Sequence, residues 1–313
     1  MSVRVIKSGP LTTVQDLGRS GQARLGLSPG GAMDRRAFLW ANRLLGNAPA
    51  AAGLEVTLGG LELTFESRAT IAVTGGDCLL TVDGGARGSW RALGMEAGQT
   101  LRLGFARTGL RAYVAFPGGL KAPRFAGSAS VVLREGLPGA LGQAVSPGDV
   151  LKWNPASDSP AAGIDSPTGI VPLRFRPTLG PSLTVEFIPA YEWTSFSALD
   201  RETLLSADWK VTPVSDRIAC RLNGPLLTSG PKVLDSAPLV DGTIQVLADG
   251  TPLVFMRDRP TIGGYAKLGA VLCAHLDRLA QARPGTTVRF VVGDAHAARL
   301  EAAQLDSFFG ART

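Results

Sequence analysis

The feature that most constrains the fold is a two-residue alternation of apolar and polar side chains, repeated in short runs on both sides of a Pro/Ser-rich segment. Alternation with this period is typical of a β-strand with one buried face. The runs contain Leu61, Leu63 and Phe65; Ile71 and Val73; Leu80 and Val82; Leu101 and Leu103; Val114 and Phe116; Leu183, Val185 and Phe187; Ile244 and Val246; and Leu253–Met256. The pattern predicts a mainly β protein.

Turn residues are unusually abundant: 39 glycines and 21 prolines occur among 313 residues, against a usual combined share of about 12%. They are spread along the chain, which favours many short strands joined by turns. The segment 154–169 has no apolar period and is predicted to be a linker. It would separate an N-terminal β domain, 1–153, from a C-terminal β domain, 170–313, and each half is long enough to bury a core.

Few helices are predicted. The clearest covers 34–45, with the carboxylate of Asp34 as N-cap and Gly46 as the stop. Further helices are predicted at 199–207, 276–282 and 295–309, and 267–274 is ambiguous between strand and helix.

Cysteine usage and hydropathy indicate the compartment. Cys78, Cys220 and Cys273 form no CxxC pair, which disfavours a disulfide scaffold and a structural zinc site. The N-terminus lacks the apolar core of a signal peptide, and no apolar run has the roughly 18 residues of a membrane span. We expect a cytoplasmic protein without a membrane association.

The net charge of +6 is carried by scattered residues, which disfavours nucleic-acid binding.

Several familiar catalytic motifs are absent. The chain has no P-loop, no GxGxxG, no HExxH and no Met-Lys-Met site for biotin attachment, and we predict no metal site. Residues 26–30 fit the G-x-S-x-G pattern of a hydrolase nucleophile. However, Ser28 is followed by Pro29, which has no N–H for an oxyanion hole, so a turn is predicted here.

Four polar clusters remain as candidate sites. Gln15, Asp16 and Arg19 lie in a Gly-broken loop, where they either face a ligand or form a local ion pair. Residues 30–34 lead into the first predicted helix, whose N-terminus either binds an anion or is simply capped.

The other two clusters lie in the second half. If 215–221 is helical, Arg217 and Arg221 share a face and clamp a carboxylate or phosphate with help from Asp216; the alternative is a structural ion pair. Residues 258–267 combine two glycines with Asp, Thr, Tyr and Lys. Exposed backbone amides beside a mobile cation suit an oxyanion, a carboxylate or a phosphate, and the alternative is an ordinary hairpin turn.

Taken in order, these clusters resemble the KipA family, also called allophanate hydrolase subunit 2-like proteins or 5-oxoprolinase C subunits, which is related to biotin-dependent carboxyltransferases. The segments that carry the resemblance are 13–21, 31–34, 41–47, 74–77, 215–224, 242–246 and 258–267. The resemblance implies two tandem cyclophilin-like β-barrel domains. It also implies ATP-dependent conversion of 5-oxoproline to glutamate, together with a KipI-like B subunit plus an A-type subunit, with ATP as cosubstrate of the complex. Phosphorylation of the lactam oxygen would make the ring carbon easier for water to attack.

Roles follow from the resemblance motif by motif. Those implied as catalytic are Lys267, Asp258, Tyr265 and Asp216. Those implied to bind substrate are Gln15, Asp16, Arg19, Arg217, Arg221, Thr261, Gly263 and Gly264, with the first three contributing across a cleft between the domains.

The chain also departs from the family pattern. Ala129 stands where an arginine is typical, Ala237 where a glutamate is typical, Ala266 where a proline is usual and His275 where an aspartate is common. Loss of an arginine and a glutamate leaves open another lactam, an amide or urea as substrate. Two further functions stay open: a biotin-dependent carboxyltransferase component, as in urea carboxylase, and a non-enzymatic KipI antagonist that regulates a kinase.

Overall fold

The computed structural model describes residues 1–137, 139–153, 169–231 and 234–311. The described residues form two compact units. The first consists of those in Met1–Arg19, in Gly30–Leu179 and from Phe309 onward, and the second of those in Ser20–Pro29 and Gly180–Phe308. The predicted linker, 154–169, lies outside the described residues except for Gly169. Ser20–Pro29 therefore belongs to the second unit, although it precedes most of the first in sequence.

The first unit is built on one antiparallel sheet of nine strands within the described residues. The strands are β1 (Ser2–Ser8), β2 (Leu11–Gln15), β3 (Gly53–Thr57), β4 (Leu61–Phe65), β5 (Ala69–Val82), β6 (Gly85–Arg87), β7 (Arg91–Met95), β8 (Thr100–Ala115) and β9 (Val150–Lys152). The main order is β2-β3-β8-β4-β1-β9, and β5 pairs with β8 while carrying β6 and β7. The predicted alternation is confirmed, since Leu63, Phe65 and Ile71 are fully buried.

The second unit contains a closed barrel. The strands and helices of this part of the chain, in and around the barrel, are β10 (Ser182–Pro189), α2 (Ala198–Ser206), β11 (Trp209–Val211), β12 (Ala219–Asn223), β13 (Ala237–Pro238), β14 (Thr243–Val246), β15 (Pro252–Phe255), β16 (Ile262–Gly263), β17 (Lys267–Val271), α3 (Cys273–Leu279), β18 (Thr287–Val292) and α4 (Ala295–Phe309). The barrel order is β10-β17-β14-β15-β12-β11-β18, closed by parallel pairing of β10 with β18, and β13 and β16 form a separate ribbon. The mainly β prediction is confirmed.

The helix predictions hold in most places. Helix α1 (Arg35–Leu44) begins after Asp34, whose side chain accepts the Ala37 N–H at 2.9 Å, as an N-cap does. Helix α4 has the predicted bounds, and α2 is shifted by one residue. The ambiguous stretch 267–274 divides into β17 and the beginning of α3, so α3 starts three residues before the predicted position. No helix in the described part of the chain is long and apolar enough to cross a membrane.

Candidate functional site

The ammonium group of Lys267 is a buried charge with few hydrogen-bond partners. Lys267 stands at the beginning of β17, opposite Gln245 of β14, and is 8% exposed. Within the described residues its Nζ makes one hydrogen bond, to Glu192 Oε1 at 3.3 Å. An ammonium carries three donors, and a buried charge is costly unless it is well paired. Lys267 therefore has donors to offer to a ligand.

Barrel pairing brings Glu192 to Lys267, although the two residues are 75 positions apart. Strand β10 runs antiparallel to β17, with Pro189 opposite Gly269, so the end of β10 lies beside the start of β17. The chain then turns through a short 3-10 segment, Tyr191–Ser195, that contains Glu192. The Glu192 side chain is 18% exposed, and its Oε2 accepts no hydrogen bond from the described residues.

The aromatic neighbour of Glu192 holds this turn against the barrel. The Trp193 ring packs on Phe187 of β10 at 5.6 Å between centroids, and the Arg201 guanidinium of α2 lies over the Trp193 ring at 5.9 Å. Sequence analysis missed Glu192 because it belongs to none of the motifs. The available signal was a glutamate flanked by two aromatic residues directly after a predicted strand.

The two glycines before Tyr265 lie in tightly packed surroundings. A Cβ on Gly263 would lie 3.1 Å from the Leu239 side chain, and a Cβ on Gly264 would lie 2.8 Å from the Leu234 carbonyl oxygen. That oxygen belongs to a loop tied to this segment, because the Leu234 N–H donates to the Gly264 carbonyl at 2.8 Å. The glycines thus allow close approach of neighbouring chain segments. The Thr261 carbonyl likewise accepts the Leu239 N–H at 2.9 Å.

Tyr265 marks the accessible side of the Lys267 region. Its side chain is 36% exposed, while its carbonyl accepts the side-chain N–H of Gln245 at 2.7 Å. Gln245 itself is 2% exposed and faces Lys267 across the β14–β17 pair. Of the predicted site residues within 258–267, Lys267 thus has a side chain that meets an unpredicted partner, Glu192.

Asp258 is instead committed to a buried ion pair. Its two oxygens accept from Arg217 Nη2 at 2.8 Å and Nε at 2.9 Å, and the two residues are 4% and 6% exposed. A bidentate pair of this kind is among the strongest side-chain contacts. For Asp258 and Arg217 this geometry is that of the structural ion pair.

The residues flanking Asp258 are also paired. Arg257 donates to Asp241 at 2.6 Å and Asp277 at 3.2 Å, and Arg259 donates to Asp241 at 2.7 Å. Burial by itself would lower the pKa of Arg257, but the two carboxylates outweigh it and raise that pKa above its ordinary value. The 257–259 stretch therefore anchors the loop that leads to Lys267.

The clamp of Arg217 and Arg221 was predicted on the condition that this segment is helical, and it is not helical. Residues 219–223 form strand β12, on which Arg221 is exposed. Asp216 Oδ1 accepts the N–H groups of Ile218 at 2.7 Å and Ala219 at 2.9 Å, so Asp216 forms a turn that starts this strand. Arg217 thus lies in the bend before β12 and is buried, whereas Arg221 lies on the strand and is exposed.

The predicted cluster of Gln15, Asp16 and Arg19 is buried in the first unit, where it stabilises a loop by hydrogen bonds. Asp16 is 2% exposed, and it accepts the hydroxyls of Ser128 and Ser130 at 2.6 Å each and the Ala129 N–H at 2.7 Å. Arg19 donates to the Ser130 carbonyl at 2.5 Å. Gln15 donates to the Val131 carbonyl at 2.9 Å. These contacts favour the local, structural interpretation of the loop, and a role towards substrate stays a prediction.

The loop before α1 is likewise filled by the protein's own groups. Tyr113 is fully buried; its hydroxyl accepts the Asp34 N–H at 2.8 Å and donates to Glu55 at 2.9 Å, and Glu55 also accepts the Met33 N–H at 2.8 Å. Burial, and then the charge of Glu55, raise the pKa of Tyr113 well above its ordinary value, so the hydroxyl stays protonated. This arrangement is that of a capped helix.

The remaining sequence predictions fall at structural positions. Ser28 is fully buried and donates to the Arg259 carbonyl at 2.9 Å, in agreement with a turn rather than a nucleophile. Ala129 is 1% exposed in the core of the first unit, and Ala237 lies opposite Gly263 in the β13–β16 ribbon. His275 contacts the Thr184 carbonyl at 3.2 Å. Of the departures from the family pattern, Ala237 thus adjoins the Gly263–Lys267 segment, and Ala266 lies within it, fully buried.

Comparisons with known proteins agree with this architecture. A family model described as the carboxyltransferase domain, subdomain A and B, matches residues 25–292. The chain is 33% identical over 290 residues to the C subunit of Escherichia coli 5-oxoprolinase, covering 92% of this chain and 90% of that protein. It is 33% identical over 279 residues to the C subunit of Haemophilus influenzae 5-oxoprolinase, covering 89% and 87%.

A solved structure shows the same fold. The urea carboxylase of Kluyveromyces lactis superimposes with a TM-score of 0.88 at 28% identity, covering 98% of this chain and 29% of the larger enzyme. This chain therefore corresponds to less than a third of that enzyme, and the activity of the whole urea carboxylase does not follow from the likeness.

Proposed function

The chain belongs to the carboxyltransferase domain family, and from this premise we propose that it is the C subunit of an ATP-dependent 5-oxoprolinase, which converts 5-oxoproline to glutamate. The observation that carries the proposal is the match to the C subunit of Escherichia coli 5-oxoprolinase over 92% of this chain and 90% of that protein. A match that spans nearly all of both chains supports a shared role in an enzyme complex.

Lys267 is the residue proposed to act on the substrate. Its buried ammonium has donors left over after the contact with Glu192, and Tyr265 lies at the accessible side of the same segment. A positive donor in a water-poor site binds and stabilises oxygen atoms that carry negative charge. In 5-oxoproline that oxygen is the lactam carbonyl, which Lys267 would orient for phosphoryl transfer, and the ammonium would then balance the charge of the phosphoryl group on it.

The chain is proposed to work only together with other proteins of the complex. A KipI-like B subunit plus an A-type subunit would complete the enzyme, and ATP would be the cosubstrate of the complex. Transfer of a phosphoryl group to the lactam oxygen would make the ring carbon a better electrophile for water. The part assigned to this chain is to bind and orient the lactam at Lys267.

The test is reconstitution. The chain is co-expressed with its KipI-like companion, the A-type protein is added, and glutamate release from 5-oxoproline and ATP is measured. We expect glutamate only in the complete mixture. A stable complex that produces no glutamate from 5-oxoproline would contradict the proposed function.

Lys267→Ala tests the site within the same assay. Loss of one donor that stabilises charge in the transition state costs about 100- to 1,000-fold in kcat. We expect a loss of this size, with assembly of the complex and thermal stability close to those of the wild type. Lys210→Ala is the matched control, because it removes a lysine from the same barrel at an exposed position. Wild-type turnover by Lys267→Ala would remove Lys267 from the mechanism.

A carboxyltransferase component, as in urea carboxylase, is the second candidate. The observation that favours it is the TM-score of 0.88 with the Kluyveromyces lactis enzyme over 98% of this chain. In that case a carboxylated biotin on another chain would be a substrate, and urea the acceptor. Incorporation of labelled bicarbonate into urea by the chain with a biotin carboxylase and carrier would support this function, and glutamate release would not be seen.

A further inference from the structure

We propose that Glu192 determines specificity at this site, by accepting the ring N–H of a cyclic amide whose carbonyl oxygen is bound by Lys267. The inference rests on the proposed function only in placing the substrate at Lys267. Glu192 lies outside every motif described above, and the contact assigned to it is a hydrogen bond from the ring N–H of the ligand.

The first argument is the geometry of the pair. Lys267 Nζ and Glu192 Oε1 lie 3.3 Å apart, so a donor and an acceptor stand side by side. Nζ has two further N–H groups, and Glu192 Oε2 accepts no hydrogen bond from the described residues. Among these residues Glu192 is the only carboxylate within ion-pair distance of Lys267.

The second argument is the shape of the ligand. A small ring holds its amide in the cis form, which places the N–H and the C=O on the same edge of the molecule. An open-chain amide is almost always trans, and it presents these two groups on opposite sides. A neighbouring donor and acceptor on the protein can therefore contact both polar groups of a lactam at once, but only one group of a trans amide.

The third argument is the environment. The side chains of Lys267 and Glu192 are 10% and 18% exposed, so water has limited access to them. Hydrogen bonds that involve an ionised partner are the stronger class, and they strengthen further where the local dielectric is low. A ligand without the N–H would leave the carboxylate facing an oxygen atom. Sites built to bind a polar hydrogen discriminate strongly against such analogues.

The fourth argument is the support of Glu192. Its turn is held by the Trp193 ring against Phe187 and by Arg201 over the same ring. The Ala190 N–H also donates to the Leu268 carbonyl at 3.0 Å, which ties the approach to this turn to β17 beside Lys267. The carboxylate is therefore held on a supported segment next to the ammonium, as a specificity contact requires.

The test compares two ligands that differ in one group. 5-Oxoproline and its lactone analogue, in which oxygen replaces the ring N–H, are titrated calorimetrically against the purified chain and against the chain with its companion proteins. One hydrogen bond to a charged group corresponds to about 10- to 100-fold in affinity. We expect the wild type to prefer the lactam by a factor of this size, and Glu192→Gln to lose most of that preference while binding of the lactone changes little.

Two variants control for indirect effects. Glu202→Gln makes the same change of charge at an exposed position of α2, and we expect it to keep the wild-type preference. Glu192→Asp retains the carboxylate and is expected to restore part of the preference that Glu192→Gln loses. Thermal unfolding of each variant shows whether the fold is retained. If Glu192 had only a structural role, Glu192→Gln would weaken the binding of both ligands equally.

The outcomes separate this inference from the proposed function. An unchanged lactam preference in Glu192→Gln, equal binding of both ligands by the wild type, or no lactam binding at all would overturn the inference. The same titrations with 2-pyrrolidone and γ-butyrolactone, which lack the carboxylate of 5-oxoproline, isolate the amide edge. A complex that prefers the lactams through Glu192 but releases no glutamate would refute the proposed function and leave this inference standing.

Discussion

The buried charged residues of this protein differ in how many of their hydrogen-bonding groups have partners. This difference distinguishes structural residues from the residue proposed to bind substrate. Asp16 accepts two hydroxyls and a backbone N–H at 2.6–2.7 Å, and Asp258 is held by both ends of the Arg217 fork. Lys267 has one partner at 3.3 Å among the described residues. Since a satisfied buried charge has little left to offer a ligand, the under-satisfied ammonium is the residue to which substrate chemistry is assigned.

Asp258→Asn tests the supporting role of the first kind of residue. The change leaves the Arg217 guanidinium buried without its counter-charge, and breaking such a pair costs about 3–5 kcal/mol. We expect a loss of this size in the free energy of unfolding, measured by urea denaturation. Asp216→Asn, at a turn outside the core, should cost less. Unchanged stability with lost activity in Asp258→Asn would instead place Asp258 in the site.

At the scale of single elements, hydrogen bonds hold the beginning of α1 against the sheet. The Asp34 carboxylate caps the first turn, while the Asp34 N–H is bonded to Tyr113 on β8 and the Met33 N–H to Glu55 on β3. The helix is therefore joined to two neighbouring strands of the sheet before its first turn is complete. These bonds hold the end of the Gly30–Asp34 loop in place.

Tyr113→Phe removes the hydroxyl that joins these groups. The Asp34 N–H loses its acceptor and Glu55 loses a donor, both in the core, which costs about 1–3 kcal/mol of folding free energy. We expect a lower thermal midpoint and a lower urea midpoint. Tyr191→Phe is the matched control, because Tyr191 is 94% exposed and its hydroxyl should contribute nothing. Equal stability of the two variants would mean that water replaces the lost hydroxyl.

At the scale of the whole molecule, closure of the second barrel builds the candidate site. Strand β10 pairs in parallel with β18 and antiparallel with β17, and the second pairing places the turn after β10 beside Lys267. Close approach of β10 and β17 depends on Gly269. A Cβ there would lie 2.4 Å from the Ile188 carbonyl oxygen and 2.4 Å from the Phe187 ring.

Gly269→Ala should therefore affect the barrel and the site together. Overpacking of a tight core costs about 1–3 kcal/mol, and separation of β10 from β17 would also move Glu192 away from Lys267. We expect both a lower free energy of unfolding and weaker lactam binding. Gly94→Ala, on an open position of β7, should change neither. A stable, normally binding Gly269→Ala variant would show that the β10–β17 contact is not needed to position the pair.

The sequence alone determined the properties that depend on near neighbours in the chain. Period-two runs predicted the strands, Asp34 predicted the start of α1, and the ordered motifs predicted the family. The absence of an N–H on Pro29 was enough to reject Ser28 as a nucleophile. Each of these follows from backbone geometry or from residues within a few positions, which is the range over which local propensity acts.

Only the tertiary structure decided which polar residues are anchored and which are available. The motif residues Asp16 and Asp258 are engaged by partners more than 40 positions away, and Glu192 reaches Lys267 from 75 positions away. The i, i+4 spacing of Arg217 and Arg221 would put both on one face of a helix, but Arg217 lies in a bend and Arg221 on strand β12, which pairs within the barrel. Contacts at such separations depend on the register and closure of the whole barrel, which no local pattern of residues specifies.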